Sequence, residues 1–119
     1  MAITQIPIYE APFQGGVNGT DIFTAAAGLM IQATSEMQFV NDGYTVLIVK
    51  TVGVNTTVGI TSIPDNAARL GNISTLQAIN LVKLYGPFRP IWWNFGGVVQ
   101  CNFSGVLTNI LVGAIRLQF

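Results

Sequence analysis

The chain has 119 residues, of which 50% are apolar and 8% are charged, and its five basic and five acidic residues give a formal net charge of zero. Its length predicts one domain that buries enough surface to fold without a disulfide or a metal. The basic residues are isolated, and the chain has no histidine and one cysteine. This composition argues against nucleic-acid binding, histidine-based catalysis and thiolate zinc sites.

Residues 1–33 show no sustained hydrophobic period, because prolines and glycines interrupt their apolar side chains. Such interruptions disfavour a regular helix. We therefore predict an extended N-terminal arm over residues 1–33, long enough to reach a neighbouring subunit, followed by a β-sandwich domain over residues 34–119. The candidate contact residues of the arm are its larger apolar side chains, Ile3, Ile6, Ile8, Tyr9 and Phe13.

From about residue 35 onward, apolar residues alternate with polar ones, as in β-strands. Met37–Val40 leads into the turn signal Asn41-Asp42-Gly43, and the β-branched run Tyr44–Val52 follows. Because both faces of this run are apolar, we predict a central strand that is covered on both sides. Further strands are predicted at residues 56–63, 76–85, 91–95, 98–103 and 107–119.

These short strands are separated by turns rich in Gly, Asn and Pro, and no long helix is predicted between them. The pattern is typical of an all-β fold, either an antiparallel β-sandwich or a small barrel of the jelly-roll kind. The long uncharged stretch between Arg89 and Arg116 contains too many polar residues for a membrane-spanning helix. We therefore expect no membrane partner.

The residue types that carry most enzyme chemistry do not form a recognisable motif. The five carboxylates lie in no catalytic pattern, and Asp42 and Asp65 are accounted for by turns. Ser62 and Ser104 have no histidine base, and the glycines match no phosphate-binding loop. We expect Cys101 to be a small buried side chain. The sequence thus predicts a protein that is not an enzyme and has no metal or cofactor.

The adjacent Trp92 and Trp93 form the most informative local feature. On a strand, neighbouring side chains point to opposite faces, so one tryptophan is expected to face outward. An outward tryptophan could anchor a subunit contact or stack on a sugar ring. Stacking on a sugar ring would instead indicate a tail- or fibre-associated carbohydrate-binding module. A third alternative is that the two rings simply divide between the core and a lightly covered face.

Several short motifs resemble a recurrent pattern of bacteriophage head proteins. The chain has the turn Asn41-Asp42-Gly43 before the strand Tyr44–Val49, and later the tripeptide Gly86-Pro87-Phe88 and the pair Trp93-Asn94. The terminal strand contains the run Gly113–Leu117. Over residues 41–119 the chain is therefore similar to head decoration proteins, also called cement proteins, of the small β-sandwich type.

The resemblance implies a structural protein that binds the outside of an assembled capsid. Its partners would be the major capsid protein and other copies of itself in a homotrimer, with N-terminal arms that cross onto neighbouring subunits. The first residues lack the basic region and long apolar core of a signal peptide. We accordingly expect synthesis in the host cytoplasm and a final location on the capsid exterior.

Overall fold

The computed structural model describes residues 3–11, 29–62 and 72–117, which form two mixed β-sheets packed face to face. The predicted all-β sandwich is thereby confirmed. A short helix, α1 (Pro90–Trp93), follows the eighth strand. The strands in chain order are β1 (Thr4–Gln5), β2 (Ile8–Ala11), β3 (Ile31–Gln32), β4 (Glu36–Val40), β5 (Thr45–Thr51), β6 (Thr56–Ile60), β7 (Ile73–Gln77), β8 (Val82–Tyr85), β9 (Asn94–Phe95), β10 (Val98–Ser104) and β11 (Ile110–Leu117).

The first sheet has the strand order β1-β4-β10-β6-β7, and β9 pairs with the start of β10. The second sheet has the order β2-β11-β5-β8, and β3 pairs with the start of β11. Two pairs, β1 with β4 and β2 with β11, are parallel, and the other pairs are antiparallel. Both parallel pairs involve N-terminal strands, so the sandwich is mixed where a purely antiparallel one was predicted.

The main core lies between the sheets and is built from alternate residues of their inner strands. Phe39 of β4, Val99 of β10, Leu47 of β5 and Val112 of β11 are each fully buried. Every second side chain of these strands points inward, so side chains from both sheets meet in one layer. Burial of each such side chain contributes about 1.5–3 kcal/mol to folding.

A second, smaller apolar cluster covers the outer face of the second sheet. Ile48 of β5 and Ile115 of β11 are buried there beneath the partly buried Tyr9 and Met30. Gly113 makes this possible, because a Cβ at that position would lie 2.8 Å from Cγ of Met30. The prediction that the apolar run around β5 is a central strand covered on both faces is thereby confirmed.

The described parts of residues 1–33 are not an arm separate from the sandwich, which corrects that prediction. Ile6 N donates a hydrogen bond to Gln38 O of the first sheet at 2.8 Å, and Pro7 O accepts one from Ala114 N of the second at 3.1 Å. The chain therefore crosses between the sheets at these two residues. Strands of two and four residues are too short to show a period in the sequence, and this explains the error. Residues 12–28 lie outside the described residues.

Two predicted strands also differ from the structure. The run predicted at 76–85 divides into β7 and β8 around a turn, where Asn80 has a φ of 56°. Asparagine tolerates this left-handed conformation, so no glycine or proline marks the turn. The strand predicted at 91–95 begins instead as α1, because Pro90 favours the first turn of a helix.

Candidate interaction surface

The structure distributes the predicted contact residues of the N-terminal segment over different environments. Ile6 is 3% exposed and belongs to the main core, against which Ile8 also packs. Tyr9 packs in the outer cluster, and Ile3 is 41% exposed. Phe13 lies outside the described residues. The four of these side chains that the structure describes therefore do not form one shared surface.

Trp92 and Trp93 lie in α1, so the prediction that they alternate on a strand is wrong. The Trp93 ring meets the buried Phe88 ring edge to face, with the centroids 5.3 Å apart. The guanidinium carbon of Arg89 lies 4.8 Å from the centroid of the Trp92 ring, in a cation–π contact. Arg89 thereby occupies one face of the ring that the carbohydrate hypothesis requires for stacking. Ile91, between Pro90 and Trp92, is 75% exposed.

Reciprocal amide hydrogen bonds fix this corner to the turn before β5. Asn41 Nδ2 donates to Asn94 Oδ1 at 2.8 Å and to Phe88 O at 2.9 Å, while Asn94 Nδ2 donates to Asn41 O at 2.7 Å. Asn41 Oδ1 also accepts from Gly43 N at 3.0 Å. Since Asn41 is 4% exposed, these bonds form where water does not compete. The two separated motifs, Asn41-Asp42-Gly43 and Trp93-Asn94, thus form one structural unit.

The turn that joins β7 and β8 crosses from the first sheet to the second and carries a group of exposed apolar side chains. We call this group the β7–β8 edge. Its members are between 40% and 62% exposed: Leu76, Ile79, Leu81, Val82 and Leu84. The sequence does not reveal this edge, because the apolar run 76–85 predicts a single strand, whereas the structure divides it between two sheets.

Gln77, which is fully buried, holds the β7–β8 edge in place. Its Nε2 donates to Val49 O at 2.8 Å and to Leu81 O at 3.2 Å, and its Oε1 accepts from the Tyr85 hydroxyl at 3.0 Å. Thr51 Oγ1 adds a bond of 2.6 Å to Ala78 O. Burial raises the pKa of Tyr85, which keeps its hydroxyl a donor. The apolar side chains of the edge are therefore presented on a fixed backbone.

An ion-pair cluster lies at the other side of the second sheet. Arg116 Nε and Nη2 donate to Asp42 Oδ2 at 2.8 and 2.5 Å, and Arg116 Nη1 lies 3.5 Å from Glu10 Oε1. An open cleft beside this cluster is lined by these residues together with Ile8, Tyr9, Leu29 and Val40. The hydrogen bond from Arg116 holds the pKa of Asp42 below its ordinary value. The two carboxylates are engaged with a cation rather than arranged as an acid–base pair.

We expect the unfolding free energy to fall as the pH is lowered through the acid range. The folded state depresses the pKa of Asp42, so its contribution is present above the unfolded value, 3.8, and is lost as the pH falls through the lower folded value. Because the pair is exposed, the loss is at most about 1 kcal/mol. Urea unfolding between pH 6 and pH 2.5 measures it, and Asp42→Asn removes this part of the slope. An unchanged slope in the variant would contradict the assignment.

Cys101, which is 4% exposed, lies in the main core as predicted. Burial raises the pKa of its thiol to about 12. The thiol is therefore protonated in the folded state at neutral pH, and a protonated thiol is a poor nucleophile.

Comparison of the chain with protein-family models, with curated protein sequences and with solved structures finds no match. Among the residues that the structure describes, no helix has the length and apolar character needed to cross a membrane. In the same parts of the chain, no cluster of three or more side chains suited to binding a metal ion is found.

Proposed function

We propose that this chain is a non-enzymatic structural protein of a virion, which binds the outer surface of a bacteriophage capsid as a homotrimer and stabilises it. The observation that carries the proposal is the amount of exposed apolar surface. Twelve large apolar side chains in the described residues are at least 40% exposed, on a chain in which 8% of residues are charged. Exposed apolar patches that are larger than those of ordinary soluble monomers mark surfaces that contact other molecules.

We infer that the partner in this contact is the capsid, because residues 41–119 resemble head decoration proteins. The motifs behind that resemblance meet in the structure, where Asn41 and Asn94 bond to each other beside α1. We assign the capsid contact to the exposed corner formed by Arg89, Ile91 and Trp92. This corner takes the place of a contact through an extended arm, because β1 and β2 belong to the two sheets.

The mechanism is mass action. A protein that binds across subunit boundaries of the assembled shell, and not to separate subunits, stabilises the shell by the free energy of that binding. No covalent bond changes, and contact depends on shape and apolar burial. Trp92, held under Arg89, presents its indole with little further loss of side-chain entropy.

The test is cosedimentation of the purified protein with capsid shells that lack it, followed by thermal denaturation of the shells. We expect the protein to sediment with the shells and to raise their denaturation temperature. Ile91→Asp is expected to weaken binding at least about tenfold, because it places a charge in an apolar contact. Val106→Asp is the matched control, since Val106 is 64% exposed and lies away from α1 in the sequence.

Protein that remains in the supernatant at every concentration would overturn the proposal. Equal loss of binding in both variants would show that added charge, rather than the corner, is responsible. Glycan-array binding that is lost on Trp92→Ala would instead support the carbohydrate-binding alternative.

A further inference from the structure

The outer edge of β8 is open to solvent. Within the described residues β8 pairs with β5 alone, and Val82 and Leu84 of β8 are 58% and 52% exposed. Thr51 N donates to Leu81 O at 2.9 Å, which places these two residues in a hydrogen-bonded pair between β5 and β8. By the alternation of an antiparallel ladder, the backbone N–H and C=O groups of Val82 and Leu84 then point away from β5. Those groups can therefore pair with a further strand.

The side chains of β8 divide between the two faces of the second sheet. Leu84 lies opposite Ile48 of the outer cluster, so Leu84 and Val82, two residues away, point to the outer face. Lys83 lies opposite Val49 of the main core and therefore points to the inner face. A strand added beside β8 would meet an apolar, a basic and an apolar side chain in turn.

The charge at this edge is positive. The chain has two lysines, Lys83 on β8 and Lys50 on the adjacent β5. The strands β5, β7 and β8 contain no acidic residue. In the described part of the chain, the ion pairs join Arg116 to Asp42 and Glu10 and involve neither lysine. A partner at this edge would therefore supply the negative charge that the chain itself does not.

We propose that β8 binds an extended segment of another protein, which adds to the second sheet as an antiparallel strand and places an acidic side chain opposite Lys83. The residues of this segment opposite Val82 and Leu84 are apolar. Because Val82 and Leu84 form the hydrogen-bonded pairs, Lys83 lies in the intervening pair without hydrogen bonds, where opposite side chains approach most closely. An acidic side chain at that position lies beside the Lys83 ammonium group, while backbone hydrogen bonds on both sides hold the segment in register.

A second copy of β8 fits this edge less well than an acidic segment does. The antiparallel register that pairs Val82 of one copy with Leu84 of the next places the two Lys83 side chains directly opposite each other, and like charges at such positions destabilise a sheet. Lysine on an edge strand thus opposes pairing between identical chains, while the same charge attracts an acidic strand. The contact uses neither Ile91 nor Trp92, so it goes beyond the proposed function and does not depend on it.

The test is fluorescence anisotropy of a labelled synthetic peptide, Ser-Thr-Val-Glu-Val-Thr-Ser, titrated with the full chain. We expect saturable binding, and binding weaker by about fivefold or more for a control peptide in which lysine replaces the central glutamate. Lys83→Glu is expected to reverse this preference. Lys50→Glu makes the same change in net charge, but Lys50 lies opposite Val82 and so on the outer face. This control variant is expected to retain the preference for the glutamate peptide.

Backbone methylation of the peptide separates strand addition from attraction by charge alone. In the proposed pairing the N–H groups of the two valines point toward β8, and the N–H group of the glutamate points away from it. Methylation of the valine nitrogens is therefore expected to abolish binding, whereas methylation of the glutamate nitrogen is expected to preserve it. Far-UV circular dichroism checks that both variants of the chain fold.

Three results would overturn the inference. The first is the absence of saturable peptide binding, or an equal loss of binding with either methylation. The second is an oligomer, detected by light scattering, that the peptide dissociates, since β8 would then be covered by a second copy. The third is binding of the chain to vesicles of anionic phospholipid that is lost in Lys83→Glu while the peptide does not bind, which would assign the edge to a membrane surface.

Discussion

Gly86→Ala is expected to lower the free energy of unfolding by about 3 kcal/mol, which is a large part of the stability of a small domain. Gly86 has a φ of 111°, which side-chain-bearing residues rarely adopt, and it follows directly after β8. A Cβ at this position would lie 2.8 and 2.9 Å from two carbons of the Phe88 ring and 3.3 Å from Thr45 O. The substitution therefore adds a steric clash to the backbone strain.

The clash is expected to displace Phe88, which packs against Phe39 with the ring centroids 5.9 Å apart and edge to face against Trp93. Urea unfolding measures the loss of stability, and tryptophan fluorescence reports the change around Trp93. Gly53→Ala is the matched control, because Gly53 has a φ of 70° but a Cβ there would meet nothing within 4 Å. It is expected to cost about 1 kcal/mol from backbone strain alone. Equal losses in the two variants would refute the role assigned to the Phe88 contact.

The hairpin around Asn41-Asp42-Gly43 illustrates what the sequence predicts well. Local information decides each part of it: β-branched residues favour β5, and Asn, Asp and Gly favour the turn. The structure places β5 at Thr45–Thr51, inside the predicted run Tyr44–Val52. The burial of both faces also follows from composition, because a strand apolar on both sides requires two covering layers.

The N-terminal strands illustrate what the sequence does not predict. β1 and β2 are parallel additions to strands that lie more than 30 and 100 residues further along the chain. Their positions depend on tertiary pairing, and elements of two and four residues have too few positions to display a period. The same limit applies to the turn at Asn80, which the local composition does not mark.

The candidate surfaces depend even more on tertiary structure. Leu84 and Leu47 are both strand leucines, yet one is 52% exposed and the other is fully buried. The difference arises because Leu84 faces outward at the end of the second sheet while Leu47 faces the main core. The sequence therefore identifies an excess of apolar residues but not the edge on which they are exposed.

The buried amide of Gln77 provides the second large effect on stability. Gln77→Leu keeps the approximate volume of the side chain but removes its bonds to Val49 O, Leu81 O and the Tyr85 hydroxyl. We expect the unfolding free energy to fall by about 2–3 kcal/mol, because polar atoms in and near the core lose a partner. Urea unfolding measures the loss. The turn between β7 and β8 is also expected to lose protection against amide hydrogen exchange.

A double-mutant cycle with Tyr85→Phe separates the loss of hydrogen bonds from a change in packing. Tyr85→Phe alone leaves Gln77 Oε1 buried without the donor that the structure gives it, at a cost of about 1–2 kcal/mol. In the double variant both partners of this bond are absent. The double variant is therefore expected to lose less unfolding free energy than the sum of the losses in the two single variants. Strict additivity would mean that the bond between Tyr85 and Gln77 does not stabilise the fold. A coupling of about 1 kcal/mol would instead show that this bond joins β7 to β8, and hence the first sheet to the edge of the second.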